Sequence, residues 1–278
     1  MSTLLPAFEE LAAKWGAMVR ANREQVERFQ ESAPRDDFYA PVAASFKADP
    51  RRTDDPTLDY LRSLVRPEDT WLDIGGGAGR IAMPIALLAK KVVLVDPSQG
   101  MLDILREGMT EYGIDNIEAV EARWPAEREF QADVSLISHV GYDVEEIGRF
   151  IEAMEVATRE FCVAVLLDGA PASVASPFWP DVHGEARDEL PGAKEFLALL
   201  LARGRLPSVA LFERPPMAYR DVEQALGFLR LQLWVAPDSE KDQRLRASIE
   251  KHSVATERGF QFATAGSPVA VIRWEPGR

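Results

Sequence analysis

Three glycines and two aspartates form the strongest chemical signal in the sequence. Gly75, Gly77 and Gly79 follow a short apolar segment that contains Asp73, and the next apolar segment ends at Asp96. Glycines that directly follow a strand let a ligand approach the main chain closely, and the helix after them offers unpaired N–H groups. A carboxylate at the end of the second strand can accept hydrogen bonds from both hydroxyls of a ribose. The pattern predicts a site for a nucleotide or nucleoside.

The spacing of the glycines favours a ligand that has no pyrophosphate. A dinucleotide site has the pattern Gly-x-Gly-x-x-Gly, whose third glycine allows close packing of helix and strand. This sequence has Gly-x-Gly-x-Gly instead, with Arg80 after the last glycine. Asp73 would repel a pyrophosphate but attract the ammonium group of an amino acid. A Rossmann-type oxidoreductase that uses NAD(P) is the alternative.

With these residues the sequence resembles the class I S-adenosylmethionine-dependent methyltransferases of the small-molecule type. The resemblance covers the acidic-x-Gly-x-Gly-x-Gly pattern, the acid that closes the second strand, and a β-hairpin at the end of the chain. It implies S-adenosyl-L-methionine as methyl donor and S-adenosyl-L-homocysteine as product. The cofactor-binding residues that it implies are Asp73, Gly75, Gly76, Gly77, Gly79, Asp96, Pro97, Ser98, Met101, Arg123, Trp124 and Ser138.

One position departs from the family pattern. Members of the family commonly have an aspartate near the end of the third strand that contacts the adenine amino group, and Arg123 stands there in this sequence. The contact with adenine is therefore expected from the main chain of Arg123 and the ring of Trp124. Met101, on the helix after the second strand, matches a position that often packs against adenine.

A second cluster of polar residues follows the fourth predicted strand. It contains Ser138, His139 and Tyr142. Residues just beyond the carboxyl end of a parallel strand face the ligand crevice of an open α/β sheet. Because an imidazole with a pKa near neutrality can act as a general base, we predict that His139 is the catalytic base and that Tyr142 orients the acceptor. The structural alternative is that His139 caps the next helix or binds the main chain.

Aromatic and ionisable residues also concentrate after the fifth predicted strand. Trp179, His183 and Glu185 lie there, and with Tyr39 they are the candidate substrate-binding residues of a cap over the cofactor. The alternative is a surface loop whose tryptophan packs on the core. Asp181, His183 and Glu185 alternate as metal ligands can, but no second histidine lies nearby, so no metal site is predicted.

The elements that must position these residues alternate between short apolar strands and helices. This is typical of a parallel sheet covered on both faces. We therefore predict an α/β fold with a Rossmann-like, mostly parallel seven-stranded sheet and a C-terminal antiparallel β-hairpin built from Phe260–Thr264 and Val269–Trp274. The expected parts are an N-terminal helical extension (1–66), an S-adenosylmethionine-binding core (67–170), an inserted substrate cap (171–255) and the hairpin that completes the core sheet (256–278).

Composition limits the partners that such a fold would have. The formal net charge of −13 opposes binding to phosphate backbones and to anionic membranes, so a small-molecule acceptor is expected and no nucleic acid or membrane partner. One cysteine and no secretory signal favour a cytoplasmic protein, as monomer or homodimer. A protein or RNA methyltransferase would have an open groove, and a non-catalytic binding module would lack a pocket beside the methyl group.

Overall fold

The computed structural model of the chain describes residues 6–31, 37, 40–214, 218–257, 259–262 and 268–277. Its helices are α1 (Phe8–Phe29), α2 (Pro56–Ser63), α3 (Ala82–Ala86), α4 (Gln99–Tyr112), α5 (Ile147–Val156), α6 (Trp179–His183), α7 (Ala193–Ala202), α8 (Val222–Leu233) and α9 (Glu240–His252), with 3-10 segments at Ala40–Phe46 and Pro171–Phe178. Its strands are β1 (Thr70–Ile74), β2 (Lys91–Asp96), β3 (Ile117–Glu121), β4 (Ala132–Ser138), β5 (Thr158–Leu167), β6 (Ser208–Phe212), β7 (Ala218–Tyr219), β8 (Ser253–Thr256), β9 (Gly259–Phe262) and β10 (Val269–Trp274).

A mostly parallel seven-stranded sheet forms the centre of the molecule, as the sequence predicted. Its strand order is β3-β2-β1-β4-β5-β10-β6, and β10 runs antiparallel to both of its neighbours. Successive side chains point to opposite faces of the sheet. Trp71 and Leu94 therefore belong to one hydrophobic layer, and Leu72 and Val93 to the other. Both faces are apolar because helices cover both of them.

Three helices pack on each face of the sheet. One face carries α1, α5 and α7, whose buried residues include Trp15, Phe150 and Phe196. The other face carries α2, α3 and α4, which contribute Leu61 and Met83 among others. In the described parts of the chain, no helix combines the length and the apolar character that crossing a bilayer requires.

The strand partners at the C-terminal edge differ from those that the sequence suggested. An antiparallel hairpin is present, but β9 forms it with β8, inside a separate sheet of order β7-β9-β8. β10 instead lies between β5 and β6. The physical reason is burial: β10 is apolar on both faces and fits the sheet interior, whereas Phe260 and Phe262 of β9 pack around Tyr219, with ring centroids 5.7 and 4.8 Å away.

Two elements that the sequence analysis assigned to the cap lie on the central sheet instead. They are α7, which packs in the same hydrophobic layer as α1, and β6, which is the outermost strand beside β10. The cap is therefore built from two segments, 171–183 and the described residues of 218–262. These segments share a hydrophobic cluster that contains Phe178, Trp179 and Leu226, against which Phe29 of α1 packs.

Candidate active site

The loop after β1 exposes main chain at the carboxyl edge of the sheet. We call residues 75–79 the glycine loop. Gly75 and Gly77 have φ angles of +70° and +54°, which residues with side chains rarely adopt. A Cβ atom on Gly75 would meet Val140 at 2.6 Å, whereas a Cβ atom on Gly77 would have no neighbour nearer than 3.6 Å. Gly75 and Gly76 are partly exposed, whereas Gly77 is buried beside Met101 and Asp96, so the loop has no side chains that would cover its main chain.

Asp96 ties the end of β2 to the glycine loop. Its Oδ2 accepts a hydrogen bond from the Gly77 N–H at 2.9 Å, and its Oδ1 accepts one from the Ser98 N–H at 2.9 Å. Burial raises the pKa of this carboxyl, although the two backbone N–H groups act in the opposite direction. Each carboxylate oxygen can accept more than one hydrogen bond. Asp96 is therefore fixed in place and still has acceptor capacity for a ligand.

Asp73 is a buried acid without a partner. It is 2% exposed, and neither carboxylate oxygen has a hydrogen-bond partner in the described parts of the chain. Burial, and then the nearby Asp96, raise the pKa of Asp73 to about 7. Leaving such a group unpaired costs free energy, which a ligand with a positive charge or several donors would recover. The Asp73 carboxylate lies under Gly76 of the glycine loop, since a Cβ there would meet its Oδ2 at 2.7 Å.

Asp37 belongs to the same edge of the sheet, and the sequence analysis did not identify it. The Ser98 hydroxyl donates a hydrogen bond to Asp37, with both carboxylate oxygens at 2.8 Å, and the Gly100 N–H donates another at 3.2 Å. The following 3-10 segment places Ala43 against Met101 in one hydrophobic cluster. The N-terminal extension therefore covers the first turn of α4. No local signal could have revealed this, because Asp37 lies in a polar, proline-punctuated segment far from α4 in the sequence.

The segment after β3 approaches β2 through its main chain. The Ala122 N–H donates to the Asp96 carbonyl at 3.2 Å, and the Arg123 side chain is exposed. The Trp124 indole donates to the Phe150 carbonyl at 3.3 Å, and its ring packs on Phe130. Trp124 is thus held against α5 by structural contacts, and its contact with adenine stays a prediction.

His139 and Tyr142 meet beyond the carboxyl end of β4. His139 has a φ angle of +56°, and its N–H donates to the Val165 carbonyl at 2.9 Å. The buried Tyr142 hydroxyl accepts a hydrogen bond from the Leu167 N–H at 2.8 Å and lies 3.4 Å from His139 Nδ1. A hydroxyl that accepts from the main chain still has one hydrogen to donate. If the hydroxyl donates this hydrogen to Nδ1, Nε2 is the protonated nitrogen of a neutral His139.

The pKa of His139 is far from neutrality. Burial, and then the nearby positive charges of Arg214 and Arg80, lower it to about 4. The residue is nevertheless exposed to solvent on part of its surface. An imidazole with this pKa is neutral at pH 7, which fits a hydrogen-bonding role better than that of a strong base, and the catalytic role of His139 stays a prediction.

The candidate substrate residues of the cap have structural partners. Trp179 is fully buried, and its ring centroid lies 4.3 Å from that of His183, whose Nε2 faces the Leu233 carbonyl at 3.0 Å. Burial lowers the pKa of His183 to about 4. Glu185 accepts from Arg28 at 2.8 Å, which links the cap to α1. These three residues therefore have structural partners, and their role in substrate binding stays a prediction. Tyr39 lies outside the described residues.

Comparison with known proteins supports the assignment of the fold. Residues 72–160 match the family model described as a methyltransferase domain. Over 149 residues the chain is 24% identical to the ribosomal RNA small subunit methyltransferase G of Pseudomonas putida, which covers 53% of this chain and 69% of that protein. Over 123 residues it is 24% identical to a cobalt-precorrin-6B C(15)-methyltransferase (decarboxylating) assigned in Methanobrevibacter smithii, with coverage of 41% and 66%.

Solved structures share the fold at low sequence identity. The YcgJ protein of Bacillus subtilis superposes with a TM-score of 0.56 and 12% identity, covering 80% of this chain and 99% of that chain. A Bacillus halodurans protein assigned to the methyltransferases gives a TM-score of 0.57 and 14% identity, covering 80% and 100%. These likenesses concern the fold alone.

The seven-stranded sheet with its single antiparallel strand, and the methyltransferase-domain match over β1 to β5, define a Rossmann-like methyltransferase fold. Residues 72–160 therefore form a methyltransferase domain, and the chain resembles the class I S-adenosylmethionine-dependent methyltransferases. The methyl donor of that class is S-adenosylmethionine, and its product is S-adenosylhomocysteine.

Proposed function

We propose that the chain methylates a small-molecule acceptor in the crevice beyond the carboxyl ends of β1 and β4. The observation that carries this proposal is the pair of buried carboxylates, Asp73 and Asp96, beside a glycine loop whose first two residues are partly exposed. The net charge of −13 supports a small molecule over a nucleic acid, because it repels a phosphate backbone. The cap, whose hydrophobic cluster packs against Phe29 of α1, also suits an enclosed acceptor.

The donor would be held by residues with distinct tasks. Asp73 receives its ammonium group, directly or through a water molecule, and that contact satisfies the unpartnered carboxylate. The glycine loop contacts the methionine part through main-chain N–H groups. Asp96 accepts hydrogen bonds from the ribose hydroxyls, with Pro97 and Ser98 completing the turn, and Met101 packs on the adenine beside the main chain of Arg123.

When bound, the donor supplies a methyl group already activated on a sulfonium. The chain mainly has to align the acceptor atom with that methyl and exclude water. In our proposal Ser138, His139 and Tyr142 do this on the acceptor side. The Tyr142 hydroxyl fixes the His139 ring through Nδ1, so the Nε2–H can donate a hydrogen bond to the acceptor.

Calorimetry with S-adenosylhomocysteine tests the donor site. We expect saturable binding to the wild-type chain and an affinity about 100-fold lower in Asp96→Ala, since a charged group that bonds two hydroxyls is lost. Asp103→Ala on α4 is the matched control, because it removes an exposed carboxylate that contacts Gln99 and Arg106 only. Equal affinity in wild type and Asp96→Ala would remove the ribose assignment.

The acceptor class is tested by transfer of a labelled methyl group. The enzyme is incubated with radiolabelled S-adenosylmethionine and either a low-molecular-weight cell extract or purified ribosomal RNA. The second substrate is included because a relative of this chain is named as a ribosomal RNA methyltransferase. We expect label in the low-molecular-weight fraction, lost in Asp96→Ala. Label found in RNA alone would contradict the small-molecule proposal.

A further inference from the structure

Arg214 leaves the sheet at the same edge as the glycine loop. Val269 of β10 pairs with both Leu167 of β5 and Phe212 of β6, so the ends of β5 and β6 lie level with each other. Arg214 follows Phe212 by two residues. Tyr142 bonds the Leu167 N–H at this level. The sheet register therefore places Arg214 on the acceptor side of the crevice.

The electrostatic contacts of Arg214 agree with this placement. Its positive charge lowers the pKa values of His139, Tyr142 and Tyr219, although burial sets the net shift of each. The side chain is exposed, and no carboxylate or other hydrogen-bond acceptor contacts it in the described parts of the chain. Arg220, further along the chain, is by contrast paired with Asp221 at 2.8 Å. Among the described residues, Arg214 thus brings an uncompensated positive charge near His139.

Tyr219 supplies a second, independent observation. It is 2% exposed, and its hydroxyl has no hydrogen-bond partner among the described residues. The ring is fixed between Phe260 and Phe262 in the cap. Burial raises the pKa of Tyr219 to about 12, so the hydroxyl keeps its proton. A buried donor without an acceptor, beside an unpaired guanidinium, is a pair of groups that a bound anion would satisfy together.

We infer that the acceptor carries an anionic oxygen group, a carboxylate or a phosphate, which Arg214 binds together with the hydroxyl of Tyr219. The inference rests on the proposed function, because it assumes that the acceptor occupies this edge of the sheet. Because the net charge of the chain is −13, the protein as a whole repels an anion, and a local positive charge is needed to attract it. This group on the acceptor would fix its orientation relative to His139 and the methyl group.

The carboxylate of the donor is a less suitable occupant for Arg214. β6 lies four strands from β1 in the sheet, a separation of about 19 Å at the usual spacing between strands. The donor is expected at the glycine loop, directly after β1. Arg80, which follows Gly79 and also lowers the pKa of His139, is the guanidinium nearer to that loop. Arg214 is therefore better placed to bind the acceptor than the donor.

Anion binding to the S-adenosylhomocysteine complex tests the inference. The probes are inorganic phosphate and benzoate, with benzamide as the uncharged match to benzoate. The readouts are the thermal midpoint of the complex and the NMR signals of the imidazole C–H groups, of which the chain has three sets because it has three histidines. The variants are Arg214→Gln and Tyr219→Phe. Arg149→Gln is the control, since it removes another exposed arginine, on α5, which pairs with Glu146.

We expect phosphate or benzoate to shift the His139 signal saturably and to raise the thermal midpoint. Arg214→Gln should weaken that binding about tenfold or more, Tyr219→Phe a few-fold, and Arg149→Gln not measurably. Equal anion binding in wild type and Arg214→Gln, an equal loss in Arg149→Gln, or equal binding of benzamide would each overturn the inference. Affinity for S-adenosylhomocysteine is measured separately, and its absence in the wild type would overturn the proposed function itself.

Discussion

The two edges of the central sheet differ in whether a buried acidic side chain has charged partners. At the amino edge, Glu155 accepts from Arg205 at 2.8 Å, from Arg203 at 3.3 Å and from the Trp274 indole at 3.0 Å. At the carboxyl edge, Asp73 has no partner among the described residues. Glu155 and Asp73 are both nearly inaccessible to solvent. They differ only in whether the chain itself supplies the counter-charges.

This difference separates structural charges from binding charges. A cavity at the amino edge is lined by Glu118, Lys91 and Arg128, but these side chains pair with one another at 2.7 and 2.8 Å. Charges that are matched within the chain support the fold and have little left for a ligand. An unmatched buried acid destabilises the free protein and points to a ligand that completes it. Asp73 therefore supports the proposed site at the carboxyl edge independently of any relative.

Removing Glu155 should have the largest effect on stability. Glu155→Gln leaves two partly buried guanidinium groups without a counter-charge, and we expect a loss of about 3–5 kcal/mol in the free energy of unfolding. Affinity for S-adenosylhomocysteine should stay unchanged. Urea denaturation measures the first quantity and calorimetry the second. Glu152→Gln, an exposed position on the same helix, is the control and should change stability by less than about 0.5 kcal/mol.

Asp73→Asn should increase the free energy of unfolding, in contrast to Glu155→Gln. Its pKa of about 7 lies above the usual value for an unfolded aspartate, so the unfolded chain ionises first as pH rises. The stability that protonated Asp73 contributes to the wild type is therefore lost progressively as the pH rises to about 7. Above that pH the contribution of this group no longer changes. We expect Asp73→Asn to be more stable than wild type by about 1–3 kcal/mol at pH 8, with no such gain at pH 4. If Asp73→Asn is less stable than the wild type at pH 8, that result would contradict the finding that Asp73 has no partner among the described residues.

His139 should remain uncharged through the physiological range. With a pKa of about 4, its imidazole signals should titrate well below pH 5.5 and stay constant from there to pH 8. NMR titration checks this, with His139→Gln used to assign the signal, because His183 also has a pKa of about 4. In Arg214→Gln the titration should move to higher pH. A midpoint near 6.5 in the wild type would restore the general-base hypothesis.

Asp37 should give the smallest of these effects. Asp37→Asn keeps the shape of the side chain but weakens its hydrogen bonds to Ser98 and Gly100. We expect affinity for S-adenosylhomocysteine to fall by about threefold, since a single charge-assisted contact beside the site is weakened. Asp115→Asn, after the end of α4, is the control. A loss as large as that of Asp96→Ala would mean that Asp37 contacts the donor itself.

The core could be predicted from sequence because its signals are local. Apolar strands, the glycine loop and Asp96 lie within one continuous stretch, and each follows from neighbouring residues. The partner of β10 could not be predicted, because strand pairing depends on contacts between distant segments. Trp179 and His183 show a second limit: aromatic and ionisable residues near each other suit a hydrophobic core as well as a pocket. The pKa of His139 depends on Arg214, which only the sheet register brings near.

Proton release on binding of S-adenosylhomocysteine tests the central claim that Asp73 binds the ammonium group of the donor. Calorimetry of S-adenosylhomocysteine binding in buffers of different ionisation enthalpy measures the number of protons released. Because Asp73 would lose its proton when it meets the ammonium, we predict release of close to one proton at pH 6 and of about a tenth of one at pH 8. Asp73→Asn should release none at either pH. Binding without proton release at pH 6, or with the same release in Asp73→Asn, would contradict the account.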